Sequence, residues 1–205
     1  MLEKIKKQLE HYTLESVSAS AQNDVPLAAV MLLLHGDPED PQIILTQRAK
    51  HLTSHAGEVA FPGGMKENID NDLLATALRE TQEEISLSSG NIKVLGKLPS
   101  DSPRLSMIRV TPFMGWVDSL HSLSPDPSEI ASVFNFPLSF LLDINHYQYF
   151  EFEEGKIRLP YVEYQDYKIW GFTLKVMVDM LNHTLDAQIK LCLPTKSELK
   201  QLGYQ

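Results

Sequence analysis

Apolar positions along the chain occur either in unbroken runs or at helical spacing, and the two patterns predict different elements. Residues 28–34 are a continuous apolar run, which is typical of a strand covered on both faces. A turn over residues 36–41 follows, and residues 42–47 would pair back as a second strand. At the start, apolar positions on one side predict a short helix over residues 1–12, and the polar residues 13–24 predict a connector.

The same patterns continue downstream and complete the predicted fold. The next elements are an acidic helix that begins near residues 70–72 and ends at residues 88–90, and strands over residues 92–98 and 107–117 with a polar turn over 99–106 between them. They are followed by a loop over 122–128, a short helix over 138–142 and a hairpin of residues 147–152 and 156–160. Trp170-Gly171 then leads into a helix that runs through Leu181, and a frayed helical turn over 195–203 comes last. No repeat or linker divides the chain. The sequence therefore predicts one domain of the α/β class over residues 1–205, in which residues 1–24 are an N-terminal helix and connector.

The candidate chemistry lies in a stretch where a glycine turn precedes the acidic helix. Glu80, Glu83 and Glu84 stand at i, i+3 and i+4, so they share one face of a helix. Like charges at this spacing repel mildly, and a divalent cation held by the carboxylate oxygens would offset the repulsion. Mg²⁺ or Mn²⁺ suits such hard oxygen ligands best. The turn Phe61-Pro62-Gly63-Gly64 lets the backbone approach a ligand closely, so the stretch predicts a metal–phosphate site.

This stretch resembles the Nudix box, a pattern of Gly, five residues, Glu, seven residues and then Arg-Glu-apolar-x-Glu-Glu-x-Gly-apolar. Gly64 is the first glycine, and Asp70 stands at the place of the first Glu. Eight residues rather than seven lead to Arg79-Glu80, and Glu83-Glu84 fall in register behind them. Ser86 replaces the last glycine of the box.

The longer spacing and the Asp are similar to one subgroup, the coenzyme A pyrophosphatases, which also carry a signature before the box. Here that signature reads Ile44-Leu45-Thr46-Gln47-Arg48-Ala49, then Gly57, Val59 and Phe61-Pro62-Gly63-Gly64, and its second Arg is replaced by Thr53. The resemblance implies a Nudix-like α/β/α sandwich with a mixed β-sheet. It also implies metal-dependent hydrolysis of the pyrophosphate bond of coenzyme A or a derivative, giving phosphopantetheine and adenosine 3′,5′-bisphosphate.

The resemblance further implies roles for individual residues. The metal ligands would be the box acids and a carbonyl of the glycine turn, namely Glu80, Glu83, Glu84 and Gly63. Arg79 would pair with a box glutamate and orient it, since a bidentate guanidinium fixes a carboxylate better than Lys does. The catalytic set comprises Arg79, Glu83, Glu84 and Glu129. The candidates for the proton acceptor are Glu83, Glu129 and Glu58. Substrate contacts are expected at Arg48, His55 and Gly64.

Several alternatives stay open in the sequence. Asp70 is either the first acid of the box or a helix cap, and Glu58 is either a further ligand or an acid that points elsewhere. Trp170 with Phe172 would either stack an adenine or belong to the core. The substrate could instead be ADP-ribose, NADH, a dinucleoside polyphosphate or a nucleoside triphosphate. A different class is a non-catalytic Nudix-fold ligand sensor, which loss of box glutamates would favour, and none is lost here.

The composition of the chain limits which binding partners and which cellular compartment we expect. The formal net charge of −9 argues against a nucleic-acid partner and requires cations to mediate the binding of an anionic small molecule. Cys192 is the only cysteine, so no intrachain disulfide forms, and the chain suits a reducing compartment. The sequence contains no run of about 18 apolar residues, so it predicts no membrane span, and residues 1–5 lack a signal-peptide core. We expect a cytoplasmic protein with no membrane contact that binds a small-molecule nucleoside diphosphate derivative; a homodimer stays open.

Overall fold

The computed structural model describes residues 1–15, 25–103, 106–120 and 123–201, and for residues 11–15 it describes the backbone alone. Most of the predicted connector lies outside these residues. So do parts of the predicted turn over 99–106, of the loop over 122–128 and of the helical turn over 195–203.

Within the described residues the chain forms five α-helices and ten strands. In chain order they are α1 (Leu2–Glu15), β1 (Leu27–Asp37), β2 (Asp40–Arg48), β3 (Val59–Ala60), β4 (Gly63–Met65), α2 (Leu73–Ile85), β5 (Ile92–Lys97), β6 (Arg109–Val117), β7 (Ile130–Pro137), α3 (Leu138–Leu142), β8 (Tyr147–Phe152), β9 (Ile157–Tyr164), β10 (Tyr167–Trp170), α4 (Gly171–Leu185) and α5 (Lys196–Gln201). Short 3₁₀ turns lie at Ser89–Asn91 and Ile144–His146.

The strands form two sheets. The larger is a seven-stranded mixed sheet, in which β1 pairs parallel with β6 and antiparallel with β2 and β4. Further out, β5 pairs with β6, while β2 pairs with β3 and β7. The second sheet is an antiparallel meander of β8, β9 and β10. Because β2 and β4 share one edge of β1, the segment Phe61-Pro62-Gly63-Gly64 comes beside the end of β2. Its two glycines were predicted as part of a turn but are the first residues of β4; we keep the name glycine turn for the segment.

Helices cover both faces of the mixed sheet, because alternate residues of β1 point to opposite sides. Ala29, Met31 and Leu33 belong to a buried cluster that includes the apolar face of α2. Leu32 and Leu34 belong to a second cluster that includes residues of α1 and α4. All five side chains are fully buried. The prediction of a strand covered on both faces is confirmed, and with it the α/β/α arrangement around a mixed sheet.

The acidic helix ends earlier than predicted. It begins after Asp72, whose Oδ1 accepts a hydrogen bond from Ala75 N at 2.8 Å, so the predicted capping region is confirmed. Its last residue is Ile85, because Ser86 adopts the left-handed conformation with φ 59° and ψ 23° and its N–H closes the last helical hydrogen bond. The predicted end at residues 88–90 was wrong, since these residues contribute to the 3₁₀ turn that follows.

Two further boundaries differ from the prediction. β1 and β2 extend into the predicted turn over residues 36–41, so the hairpin turn is only two residues long. The helix predicted to end at Leu181 continues to Leu185, where Asp186 caps it in the left-handed conformation. None of the described helices combines the length and the apolar character that crossing a bilayer requires.

Candidate functional site

Three segments converge at one end of the mixed sheet. They are the end of β2 with Arg48, the glycine turn between β3 and β4, and the second half of α2. β1 holds the last two in place, since it pairs with β4 along its edge and packs against α2 through its buried face. The site therefore stands on the centre of the fold rather than on a loop at its margin.

Close packing surrounds the two glycines of the turn, against backbone at Gly63 and against a side chain at Gly64. A Cβ on Gly63 would lie 2.7 Å from Val30 Cα, which is backbone and cannot move aside. A Cβ on Gly64 would lie 2.5 Å from Glu80 Cδ, so Gly64 makes the room that the Glu80 carboxylate occupies. Gly64 thus lies against a site carboxylate, and the substrate contact predicted for Gly64 stays a prediction.

Arg79 is the centre of a saturated ion-pair cluster. Its Nε and Nη2 donate to the two oxygens of Asp70 at 3.0 and 3.1 Å, a bidentate contact. Its Nη1 lies 2.8 Å from Glu83 Oε2 and 3.0 Å from Glu80 Oε1, and Nη2 also donates to Met65 O at 3.1 Å. Arg79 therefore joins the helix to the β4 strand and restrains the carboxylate of Glu80.

Asp70, the acid at the first box position, is the buried partner of Arg79. It also accepts hydrogen bonds from Glu67 N at 2.9 Å and from Thr76 Oγ1 at 3.0 Å. The hydrogen bond from Arg79, followed by that from the backbone of Glu67, holds the pKa of Asp70 well below its usual range. The helix cap is Asp72, so the two roles that the sequence left open for Asp70 fall to two different residues.

Glu84 has the opposite environment. Only 5% of its side chain is exposed, its Oε2 is buried without a hydrogen-bond partner, and its Oε1 lies 3.9 Å from Arg48 Nη1. Burial, and next the charge of Glu80, raises the pKa of Glu84 to about 8, against the effects of Arg48 and of a hydrogen bond from the Gly63 backbone. Burial also raises the pKa of Glu80. Two carboxylates in this state are stabilised by a cation.

The three box acids do not converge equally. Glu80 and Glu84 face the glycine turn, whereas the Glu83 side chain is 57% exposed and is held by Arg79. Among the described residues, no three His, Cys, Asp or Glu side chains converge closely enough to hold a metal ion. The orphaned Oε2 of Glu84, beside a second carboxylate, still fits a divalent cation whose remaining ligands would be water or phosphate oxygens.

The signature residues before the box lie at the end of β2, in β3 and in the loop of residues 49–58 that joins these two strands. Arg48 N donates to Glu58 O at 2.9 Å and Gly57 N donates to Arg48 O at 3.2 Å, which closes the loop at its base. Arg48 Nε is buried without a hydrogen-bond partner. His55, in the left-handed conformation at φ 54°, is exposed and lies 3.0 Å from Glu58 Oε2 through Nδ1. Thr53 is exposed on the same loop.

Glu129 directly precedes β7, which pairs with β2 along the edge away from β1, so it lies next to Arg48 at the end of β2. Its O accepts a hydrogen bond from Ala49 N at 2.7 Å, next to the signature Arg48. Its side chain is exposed, and its charge contributes to the raised pKa values of Glu80 and Glu84. Of the three candidate proton acceptors, Glu83 is engaged by Arg79 and Glu58 by His55.

The aromatic residues proposed as an adenine platform are partly buried. Phe172 packs against the core cluster under the helices, and Trp170 is half-buried at the start of α4. Thr173 Oγ1 donates to Val59 O at 2.9 Å, which fixes this helix end to β3.

One feature of the site was not predicted from the sequence, namely the hydrogen bond between Ser86 and the segment before Glu129. The replacement of the box glycine by Ser86 is the sequence signal that could have pointed to it.

Comparisons with known proteins give one consistent result. A family model described as NUDIX domain matches residues 25–152. A protein of Photorhabdus laumondii named "Uncharacterized Nudix hydrolase NudL" is 36% identical over 166 residues, which cover 80% of this chain and 85% of the relative. A protein of Yersinia pestis with the same name is 38% identical over 153 residues, covering 73% and 75%. A crystal structure of a MutT/nudix family protein from Enterococcus faecalis superimposes with a TM-score of 0.56 at 18% identity, covering 96% of this chain and 74% of the other.

Proposed function

The chain belongs to the Nudix hydrolase family, whose pyrophosphatases act on phosphorus-containing anhydrides and generally use divalent metal ions, and from that premise we propose that it hydrolyses the pyrophosphate bond of coenzyme A or its derivatives. The products would be phosphopantetheine and adenosine 3′,5′-bisphosphate. Mg²⁺ or Mn²⁺ would be the metal, because the acids near the glycine turn offer only oxygen.

The observation that carries the proposal is the buried Glu84 carboxylate with its orphaned oxygen, next to Glu80 and the signature Arg48. Glu80 and Glu84 would hold the ion, which when bound would neutralise phosphate oxygens and lower the pKa of the attacking water. Arg48, whose Nε is buried without a partner, would bind a phosphate oxygen. Arg79 keeps Glu80 in position through its ion pairs.

The reaction needs one proton acceptor beyond these residues. Water attacks one phosphorus, the bridging P–O bond breaks, and its electron pair leaves with the other phosphate. The proton of the water goes to a carboxylate near the metal ligands. Glu129 is the candidate that the geometry favours, since Glu83 and Glu58 each engage a neighbouring side chain.

A second candidate is a Nudix pyrophosphatase that acts on ADP-ribose, NADH, a dinucleoside polyphosphate or a nucleoside triphosphate. Thr53 favours it, because the coenzyme A signature has Arg at this exposed position and this chain does not. The proposal is tested on a panel of these substrates with Mg²⁺ and Mn²⁺, and coenzyme A or an acyl derivative should give the highest kcat/KM. Product release from none of them would favour a non-catalytic ligand sensor.

The variant Thr53→Arg sharpens the choice of substrate. If this position contacts the 3′-phosphate of coenzyme A, the new Arg adds a charge-assisted hydrogen bond and raises kcat/KM for coenzyme A by roughly tenfold. Dephospho-coenzyme A, which lacks that phosphate, should gain less, and Thr53→Lys should lie between the two proteins. Equal gains for both substrates would remove Thr53 from 3′-phosphate recognition.

A further inference from the structure

The last turn of α2 is tied to residues 123–129, which we call the bridging segment. Ser124 N donates to Ile85 O at 3.0 Å and Asp126 N donates to Glu84 O at 2.9 Å. These bonds satisfy carbonyls that a helix cannot pair by itself at its C-terminus. A third bond comes from a side chain, since Ser86 Oγ donates to Ser124 O at 2.9 Å.

The bridging segment ends at Glu129 in a tight turn. Asp126 O accepts the N–H of Glu129 at 3.1 Å and that of Ile130 at 2.8 Å. The Asp126 carboxylate accepts Ser128 N at 2.8 Å and Ser128 Oγ at 2.7 Å. A displacement of the segment at Ser124 would therefore move Glu129 as well.

Ser86 adopts a backbone conformation that is unfavourable for a serine. At φ 59° it lies in the left-handed region, where Gly is favoured and a Cβ is disfavoured, and the Nudix box has Gly at this place. A glycine would form the same cap without strain, but it could not donate to Ser124 O. The hydroxyl is thus what this chain has at this position and the box glycine lacks.

We propose that Ser86 is a positioning residue, whose hydroxyl fixes the bridging segment to the end of α2 and so holds Glu129 beside Glu80 and Glu84. The inference rests on the proposed function, in which Glu129 accepts the proton of the attacking water. Two backbone contacts support this placement, since Asp126 N donates to Glu84 O at 2.9 Å and Glu129 O accepts the N–H of Ala49, the residue after Arg48, at 2.7 Å. A loosened segment would leave the metal ligands in place and misplace the proton acceptor.

Ser86→Gly and Ser86→Ala separate positioning from stability. Both remove the hydroxyl, but only Ala keeps the strained Cβ, so the Gly variant should have the higher Tm. Both should nevertheless lose the same amount of kcat, about tenfold, with little change in KM. Ser88→Ala is the matched control, because Ser88 is exposed and its side chain makes no capping hydrogen bond. Turnover of Ser86→Gly within about twofold of the unaltered protein would overturn the inference.

Two further measurements locate the effect. In a Glu129→Gln background, removal of the Ser86 hydroxyl should reduce kcat no further, whereas fully multiplied losses would show that Ser86 does not act through Glu129. Amide hydrogen exchange at Ser124, Asp126 and Glu129 should be faster in both Ser86 variants, and unchanged exchange would refute the tie. This exchange needs no turnover. A protein that hydrolyses no pyrophosphate would therefore refute the proposed function, while the exchange rates still decide whether Ser86 holds the segment.

Discussion

Arg79 and Glu84 lie little more than one turn apart on α2, yet their surroundings differ in kind. Arg79 is paired through Nε, Nη1 and Nη2, and its bidentate partner Asp70 accepts further hydrogen bonds of its own. Glu84 is more deeply buried, but it keeps an oxygen without a partner and faces a second carboxylate. One charge is satisfied within the chain, and the other is not.

Within one motif, the paired Arg79 therefore has a structural role and the unpaired Glu84 is the candidate for the chemistry. A buried charge that is paired and hydrogen-bonded contributes to the fold, whereas an unpartnered one is costly and is kept where something else completes it. The saturated cluster of Arg79 supports the site by holding Glu80, and the incomplete pocket of Glu84 is where a cation fits. Substitutions at the two positions should therefore fail in different ways.

The largest effect is expected for Glu84→Gln. Turnover should fall by about two orders of magnitude or more, because a key charge is lost where the phosphates react. Above about pH 8, where Glu84 is ionised, the metal-free variant should be at least as stable as the unaltered protein, since the change removes a buried charge without removing a partnered group. Kinetics and thermal unfolding of the same sample check both statements, with Glu154→Gln at the exposed tip of the β8–β9 hairpin as a control. Near-normal turnover in a folded Glu84→Gln would take this residue out of the site.

Arg79→Lys should damage both activity and stability. Lys keeps the charge but cannot make the bidentate contact with Asp70 while also reaching Glu80 and Met65 O. We expect Tm to fall by roughly 5 °C or more and kcat to fall by about tenfold. If the variant kept its Tm while losing activity, Arg79 would belong to the chemistry, and the contrast with Glu84 would break down.

The pH dependence of stability gives the smallest and most specific effect. The pKa of Glu84 is raised from its ordinary 4.5 to about 8. The contribution of this residue to the free energy of unfolding is therefore fully present below about pH 4.5 and is lost as the pH rises towards 8. The slope should be at most roughly 1 kcal/mol per pH unit in metal-free protein. Asp70, with a lowered pKa, contributes above its ordinary pKa and adds no slope in this window.

Thermal unfolding of the metal-free protein between pH 5 and 8 measures this slope. Glu84→Gln should reduce it to the part that the raised pKa of Glu80 contributes, and saturating Mg²⁺ should offset the loss of stability at the higher pH values. A slope that persists unchanged in Glu84→Gln would assign the effect to another group.

Much of the fold could be predicted because the central strand has an unmistakable pattern. The continuous run in β1 is buried on both faces by helices, as a run without polar interruption requires. β3 and β4, with two and three residues, are too short to show any alternation. β7 is interrupted by Asn135 and ends at Pro137, and its pairing with β2 depends on contacts distant in sequence. Such strands are defined by their partners and not by their own residues.

In the candidate site, too, some features could be predicted from the local sequence and others depend on distant partners. The box spacing places Glu80 and Glu84 together, but helical periodicity alone also includes Glu83, which the structure turns towards Arg79. Which acid faces the glycine turn is decided by Gly64, whose missing side chain admits Glu80. The bridging segment could not be predicted, since its hydrogen bonds join backbone groups that carry no sequence signal; only Ser86, as a departure from the box, pointed to it.

If the incomplete carboxylate pocket at Glu84 holds a divalent metal ion, replacement of this residue must weaken metal binding. Titration of the metal-free protein with Mn²⁺, followed by calorimetry, measures this directly in the unaltered chain and in Glu84→Gln. We expect saturable binding to the unaltered protein and an affinity at least about tenfold weaker in Glu84→Gln, with both proteins folded. Equal affinity of the two proteins for Mn²⁺, or no binding to either, would contradict it.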